Sequence, residues 1–200
     1  MVATEDRRLI NRIRSGDKEA FEELVKRHYE DIFSYCYRRT GNREDAEDLT
    51  QEVFLKLVKA IYKYRHTGKF RNFIFTIAVN CCNDFIRRQK TRPEKNPDDA
   101  YLESAVSEEM SPSEHLAKQE DRFILYDRLS GIKEEQKEAL VLYYFHGFKA
   151  REIAEITGVP LATAKSRIRQ GLEHLKKEYE KDKDKHIERK GEVRNERKEK

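Results

Sequence analysis

Few side chains in this sequence are spaced for bond chemistry. The candidate nucleophiles and soft ligands are Cys36, Cys81 and Cys82. An odd count, one adjacent pair and no CxxC spacing fit neither a secreted disulfide framework nor a zinc or redox motif. His28 with Cys81 and Cys82 could begin a metal site, but no fourth ligand stands at ligand spacing, so buried packing is the better use for them. There is no glycine-rich phosphate loop and no nucleophile with an oriented base. The residues therefore predict no catalytic centre, no metal and no cofactor. Binding chemistry remains, and its densest stretch is "REIAEITGVPLATAKSRIRQGLEHL", residues 151 to 175.

Within that stretch Ile153, Ala154 and Ile156 form the inner face of a short helix. Gly158 suits a corner that other residues resist, Val159 plugs it, and Pro160 belongs in the first turn of the next helix, where its missing amide proton costs nothing. That second helix is expected to bury Leu161, Ala164, Ile168 and Leu172. Its outward side chains are then Thr163, Lys165, Ser166, Arg167, Arg169 and Gln170, types that contact phosphates or base edges. The pattern is that of a DNA-reading helix-turn-helix. It also fits a structural helical corner with a wet, basic face, and these residues alone leave both readings open.

The elements that must position this corner are helical. A first helix is expected from Glu5 to Arg14, capped by Thr4 and ended at Gly16. Asp17 opens a second, with Phe21, Leu24, Val25, His28, Ile32, Phe33 and Cys36 recurring at three- and four-residue steps. Gly41 interrupts, and Asn42 with Asp45 forms a capping pair for a third helix whose apolar face is Ala46, Leu49, Val53, Leu57 and Ile61. A fourth, after the loop 65 to 69, carries two stripes. One holds Phe70, Phe73, Ile74, Ile77, Ala78, Cys81 and Phe85; the other holds Phe75, Val79, Cys82 and Ile86. Such a helix is clasped on both sides by neighbours or keeps one stripe for a partner.

Periodicity stops from residue 91 to 115, where prolines and acids predict a flexible linker. A second domain, 116 to 176, places Leu140, Val141, Tyr144 and Phe145 inward ahead of the corner. Residues 177 to 200 are almost devoid of apolar side chains and read as a frayed, solvated tail. The expected fold is all-α: two small helical domains, 1 to 90 and 116 to 176, joined by the linker. With 37% hydrophobic and 40% charged residues, the chain can fill small cores but not a large buried sheet. A net charge of +4 suits a polyanion partner without demanding one. Mixed charge at the N-terminus and no long apolar run predict neither a signal peptide nor membrane insertion, hence a cytoplasmic protein.

Taken together, "AFEELVKRHYEDIFSYCYRRTGNREDAEDLTQEVFLKL", "KFRNFIFTIAVNCCNDFIRR", "LSGIKEEQKEALVLYYFHGFKAREIAEITGVP" and "LATAKSRIRQGLEHLK" resemble the extracytoplasmic-function sigma factors, which keep only regions two and four of the larger sigma family. The resemblance implies a factor that brings core RNA polymerase to promoter DNA and stabilises local melting, under an anti-sigma partner that is often membrane-bound. By position it makes Asp45, Asp48, Leu49, Gln51, Glu52 and Phe54 the polymerase contacts. It gives Tyr64, Lys69, Phe70, Arg71, Asn80, Arg87 and Arg88 to the minus-ten element, with Asp84 in a structural role. Thr163, Lys165, Ser166, Arg167, Arg169 and Gln170 fall to the minus-thirty-five element. Three positions depart from the family pattern: Phe73 replaces a common tryptophan, Val79 a common arginine and Ala164 a common valine. A dimeric regulator using only the C-terminal helix pair, or a helical adaptor, are the competing readings.

Overall fold

A computed structural model of the chain describes residues 2–65, 69–91 and 131–196, all helices and short connections. The N-terminal group is α1 (Val2–Arg14), α2 (Lys18–Thr40), α3 (Arg43–Ala60) and α4 (Phe70–Thr91). The C-terminal group is α5 (Glu134–Leu140), running into a π-helical turn (Val141–Phe145), then α6 (Ala150–Thr157) and α7 (Leu161–Glu196). Apart from Thr91, the predicted linker and the predicted start of the second domain lie outside the described residues.

The starts and corners follow local chemistry. Asp17 caps α2 by accepting from the Ala20 amide at 3.1 Å, and Asn42 caps α3 by accepting from Asp45 at 3.0 Å. Between them Gly41 adopts a φ of 76°, which favours glycine. The backbone of α1 is already helical at Val2, so Thr4 lies inside the first turn rather than ahead of it. At the far end of α3, Arg14 donates to the carbonyls of Ile61 and Tyr64, satisfying acceptors the helix leaves open and fixing the turn towards α4.

The predicted inner face of α3 is buried throughout, as are Leu24, His28, Ile32 and Cys36 of α2. His28 is a core histidine: its Nε2 lies 3.2 Å from Asp6 Oδ1, and its ring meets Phe70 edge-on. Cys36 and Cys82 touch at 3.8 Å between sulfurs, whereas Cys81 accepts from Lys56 Nζ at 3.4 Å. Both stripes of α4 contribute to the core, with Phe75 and Val79 of the second as buried as Ile74 of the first. Phe75 meets Phe148 and His146 of the C-terminal group at 4.8 and 4.9 Å, so part of its second stripe is covered from within the chain. One continuous apolar core therefore joins the two groups.

Four expectations in the C-terminal group differ from what the structure shows. Tyr144 and Phe145 are exposed and Leu142 is fully buried, because a π turn spends an extra residue and shifts the inward register. Pro160 stands just ahead of α7, its carbonyl accepting from Ala164 at 3.1 Å, one position earlier than expected. The inward line of α7 is Ala164, Ile168, Gly171 and the half-buried Leu175, while Leu161 and Leu172 are exposed. Beyond Lys176 the backbone stays helical to Glu196, in keeping with a segment rich in glutamate and lysine, where fraying was expected.

Gly171 lets α7 approach α5: a Cβ there would stand 2.7 Å from Leu140 Cδ1. Gly171→Val is expected to overpack this contact and destabilise the protein by about 1–3 kcal/mol. Urea unfolding followed by circular dichroism measures it; an unchanged midpoint would show that Leu140 moves aside freely.

Candidate nucleic-acid interface

The outward face of α3 is acidic at its start. Asp48 and Gln51 are exposed, Asp45 is half-buried, and Glu52 pairs with Lys56 at 2.7 Å. Partial burial, then the neighbouring Asp48 and Glu44, push the Asp45 carboxyl above the usual range, so an approaching cation would relieve it. Leu49 and Phe54 are buried, and Phe54 lies parallel to Tyr29 at 6.3 Å. They support this face from beneath rather than touching a partner. The exposed apolar residues are Leu55, Val58 and Tyr62. They continue the line of Asp48 and Gln51 at helical spacing, a signal present in the sequence outside the inward stripe.

The predicted minus-ten residues divide into three groups. Tyr64 and Phe70 are core: Tyr64 lies 5.5 Å from Phe70 and 4.8 Å from Phe73, which fills the tryptophan position as part of this ring cluster. Asn80, Arg87 and Arg88 stand exposed along α4. Asp84 ties the last two down locally, its carboxylate 2.8 Å from Arg87 and its carbonyl accepting from Arg88 at 3.2 Å. Val79 is buried, so no backbone-contacting side chain is missing from an open surface there.

Lys69 and Arg71 form the third group, and both face the C-terminal helices. Lys69 Nζ lies 2.8 and 2.7 Å from the two carboxylate oxygens of Glu155 on α6. Arg71 bonds Asp31 at 3.2 Å and the His146 carbonyl at 2.8 Å, with its guanidinium 4.3 Å above the Phe148 ring. Beside them opens a cavity of about 300 Å³, lined by Lys63, Tyr64, Arg65, Lys69, Asn72, Phe73 and Thr76, with Glu155 forming its far wall.

Further along the seam, Arg39 of α2 is almost fully buried and bonds Glu134 Oε2 at 2.9 Å and Asn83 Oδ1 at 3.1 Å. Asn83 in turn donates to Glu138 at 2.8 Å. Burial raises the Glu138 carboxyl, and Arg39 and Asn83 draw it back. Sequence reading missed Arg39, Glu134, Glu138, His146 and Glu155. Partners 55 to 95 positions apart leave no trace in local periodicity.

The helix-turn-helix is formed as predicted at its corner. Ile153, Ala154 and Ile156 are buried, Gly158 has a φ of 68°, and its amide returns to the Ala154 carbonyl. At the start of α6 the Lys149 amide donates to Glu152 at 2.8 Å, half of a capping box. On α7 Lys165 and Arg169 are exposed, while Thr163 and Ser166 are half-buried beside them. Arg167 leans towards Glu138 at 4.0 Å, and Gln170 accepts from Gln136 at 2.9 Å. Arg169 also pairs with Glu173 at 3.5 Å, an exposed contact along the same helix. The exposed cationic surface is narrower than the sequence suggests, centred on Lys165 and Arg169.

Comparison with known proteins agrees with this arrangement. Residues 24–92 match Sigma-70 region 2, and residues 122–175 match Sigma-70, region 4. The structure of CnrH in complex with the cytosolic domain of CnrY has the same fold, with a TM-score of 0.66 at 22% identity over 89% of this chain and 99% of that one. So does the sigma factor RpoE in complex with the anti-sigma factor NepR from Bartonella quintana, at 0.60 and 20% identity over 78% of this chain and 94% of that one. The ECF RNA polymerase sigma-E factor of Haemophilus influenzae is 30% identical over 171 residues, spanning 82% of this chain and 89% of its own. With that identity over most of both sequences, the chain belongs to the ECF (extracytoplasmic-function) RNA polymerase sigma factors.

Proposed function

We propose that this protein binds core RNA polymerase through the outer face of α3, reads the minus-ten element with α4, and reads the minus-thirty-five element with α7. The observation that carries this reading is the pairing, in one chain, of an acidic and apolar docking face with a helix-turn-helix. Asp45, Asp48, Gln51 and Glu52 supply steering and register towards a basic partner, and Leu55, Val58 and Tyr62 supply apolar area. Asn80, Arg87 and Arg88, exposed along α4, follow a melted strand, with Lys69 and Arg71 joining once they are released. Thr163, Lys165, Ser166 and Arg169 approach the upstream duplex, with Arg167 and Gln170 at its edge.

The chain itself makes and breaks no bonds; polymerase does. No described helix is long and apolar enough to cross a membrane, and we place its work in the cytoplasm. An anti-sigma factor completes the partner set, supported by the RpoE relative solved with NepR.

Run-off transcription from genomic fragments, with purified core polymerase with and without the protein, tests the proposal. Promoter-dependent transcripts are expected only with it; none, alongside a working control factor, would overturn it. In the holoenzyme, Arg169→Ala is expected to weaken upstream-duplex binding by about 1–3 kcal/mol while core association holds. Titration by fluorescence anisotropy at fixed salt checks it, since phosphate attraction alone dominates at low ionic strength. Loss of core binding instead would contradict the assigned geometry.

A further inference from the structure

We infer that the free protein holds itself closed, with region four seated on the minus-ten side of region two and the Glu155 carboxylate occupying the place of a DNA phosphate on Lys69. The inference rests on the promoter-reading assignment above and adds how that site is kept shut. Both oxygens of Glu155 face one ammonium group, and Asn72 Nδ2 reaches the same carboxylate at 3.4 Å. A phosphate would bring the same charge and the same acceptors, so Lys69 cannot serve both at once. Arg71 is committed likewise, bonded to the His146 carbonyl and covered by Phe148.

The closure is a seam with unequal parts. At its centre the buried rings of Tyr35 and Phe75 meet His146 at 5.7 and 4.9 Å, and Phe75 meets Phe148. At one end the buried Arg39 and Glu138 are linked through the half-buried Glu134 and the exposed Asn83 in a polar clasp. At the other, the Lys69–Glu155 pair is roughly half exposed, at 49% and 40% of its side-chain surface. Exposed pairs of this kind are weak and yield to a competing anion, whereas the buried parts hold shape. The Glu155 end is therefore where the seam starts to open.

The helix that supplies Glu155 is the first helix of the helix-turn-helix. While α6 is lodged against α4, the upstream reader and the strand-holding face cannot take up separate positions on DNA. The outer face of α3 lies outside this seam, so docking and opening are distinct steps, and the anionic strand, which reaches Lys69 only in the open form, shifts the population.

The test uses the full chain. Glu155→Lys sets two ammonium groups against each other at the seam, and Glu155→Gln removes the charge with little change of shape. Hydrogen exchange over residues 69–80, and anisotropy of a labelled mixed-sequence single-stranded 12-mer at fixed salt, are compared with the parent. Glu155→Lys is expected to exchange at least fivefold faster in that segment and to bind the strand at least fivefold tighter than the parent, with Glu155→Gln between them. Parent-like exchange and binding in Glu155→Lys would overturn the closure. If the parent with core polymerase gives no promoter transcript, the promoter assignment fails; the exchange measurement, which involves no DNA, still decides whether Glu155 closes the seam.

Discussion

Arg39→Ala is expected to lower the free energy of unfolding by about 3–5 kcal/mol, because it strands the buried Glu138 carboxylate, with only Arg167 left near it as a cation, at 4.0 Å. The Arg39 side chain is 1% exposed and reaches Glu134, Asn83 and the vicinity of Glu138. Glu138 is itself buried, and its carboxyl is already raised by desolvation, so loss of the guanidinium removes the main influence that keeps it ionised. Arg39→Lys should recover little, since a single ammonium group cannot span Glu134 and Asn83 as a planar fork does. Pairing Arg39→Met with Glu138→Gln should recover part of the loss by removing the stranded charge along with its partner. Urea unfolding of the four proteins measures this. A single-variant loss below about 1 kcal/mol would show that water reaches the seam and screens it.

Acid should weaken the same seam through His146. Its ring is buried, neither nitrogen has a hydrogen-bond partner, and burial lowers its pKa to about 4. Asp31, with its carboxylate 4.0 Å from Nδ1, opposes that shift, while Arg38 and Arg71 add to it. The folded value lies below the unfolded value of roughly 6.5, so the stabilisation is complete above pH 6.5 and is lost as pH falls towards 4. A gap of this size corresponds to on the order of 3 kcal/mol. His146→Phe retains a ring in the seam and carries no proton. Between pH 7 and 4 the parent should lose about 3 kcal/mol more than this variant, read from urea midpoints at each pH. Equal losses would mean that His146 is hydrated when folded. Carboxylates that titrate below pH 5 affect both proteins alike and cancel in the difference.

The helices of region two were legible because each shows its apolar residues at one period and its boundaries in Asp17, Gly41 and Asn42. The second stripe of α4 was legible as a stripe, but what covers it was not: Phe148 and His146 are far along the chain and carry no matching period. The π turn was invisible for a related reason, since "VLYYF" suits an ordinary helix and only packing of Leu142 reveals the shifted register. On α7 the apolar character of Leu161 and Leu172 misled, whereas Gly171, with no side chain, marks where α5 comes closest.

The candidate site was legible in kind more than in membership. Leu49 and Phe70 already belonged to inward stripes, and that periodicity was the better guide to their burial than position within a family motif. Leu55 and Val58 lay on the outward line of α3, with Tyr62 in the turn that follows, and their exposure completes the docking face that the acids begin. Lys69 and Arg71 have the right chemistry for a strand, but their present partners are acids and carbonyls of the chain itself.

The ring contacts of Tyr35 and Phe75 with His146 and Phe148 also limit how freely the two halves can be exchanged between relatives. A chimera joining this region two to a foreign region four inherits two large aromatic sockets cut for a particular histidine and phenylalanine. Unless the graft carries those rings, each half can be well folded and the hybrid still mismatched along its joint. The natural unit of transplantation is the pair of regions together with their shared seam.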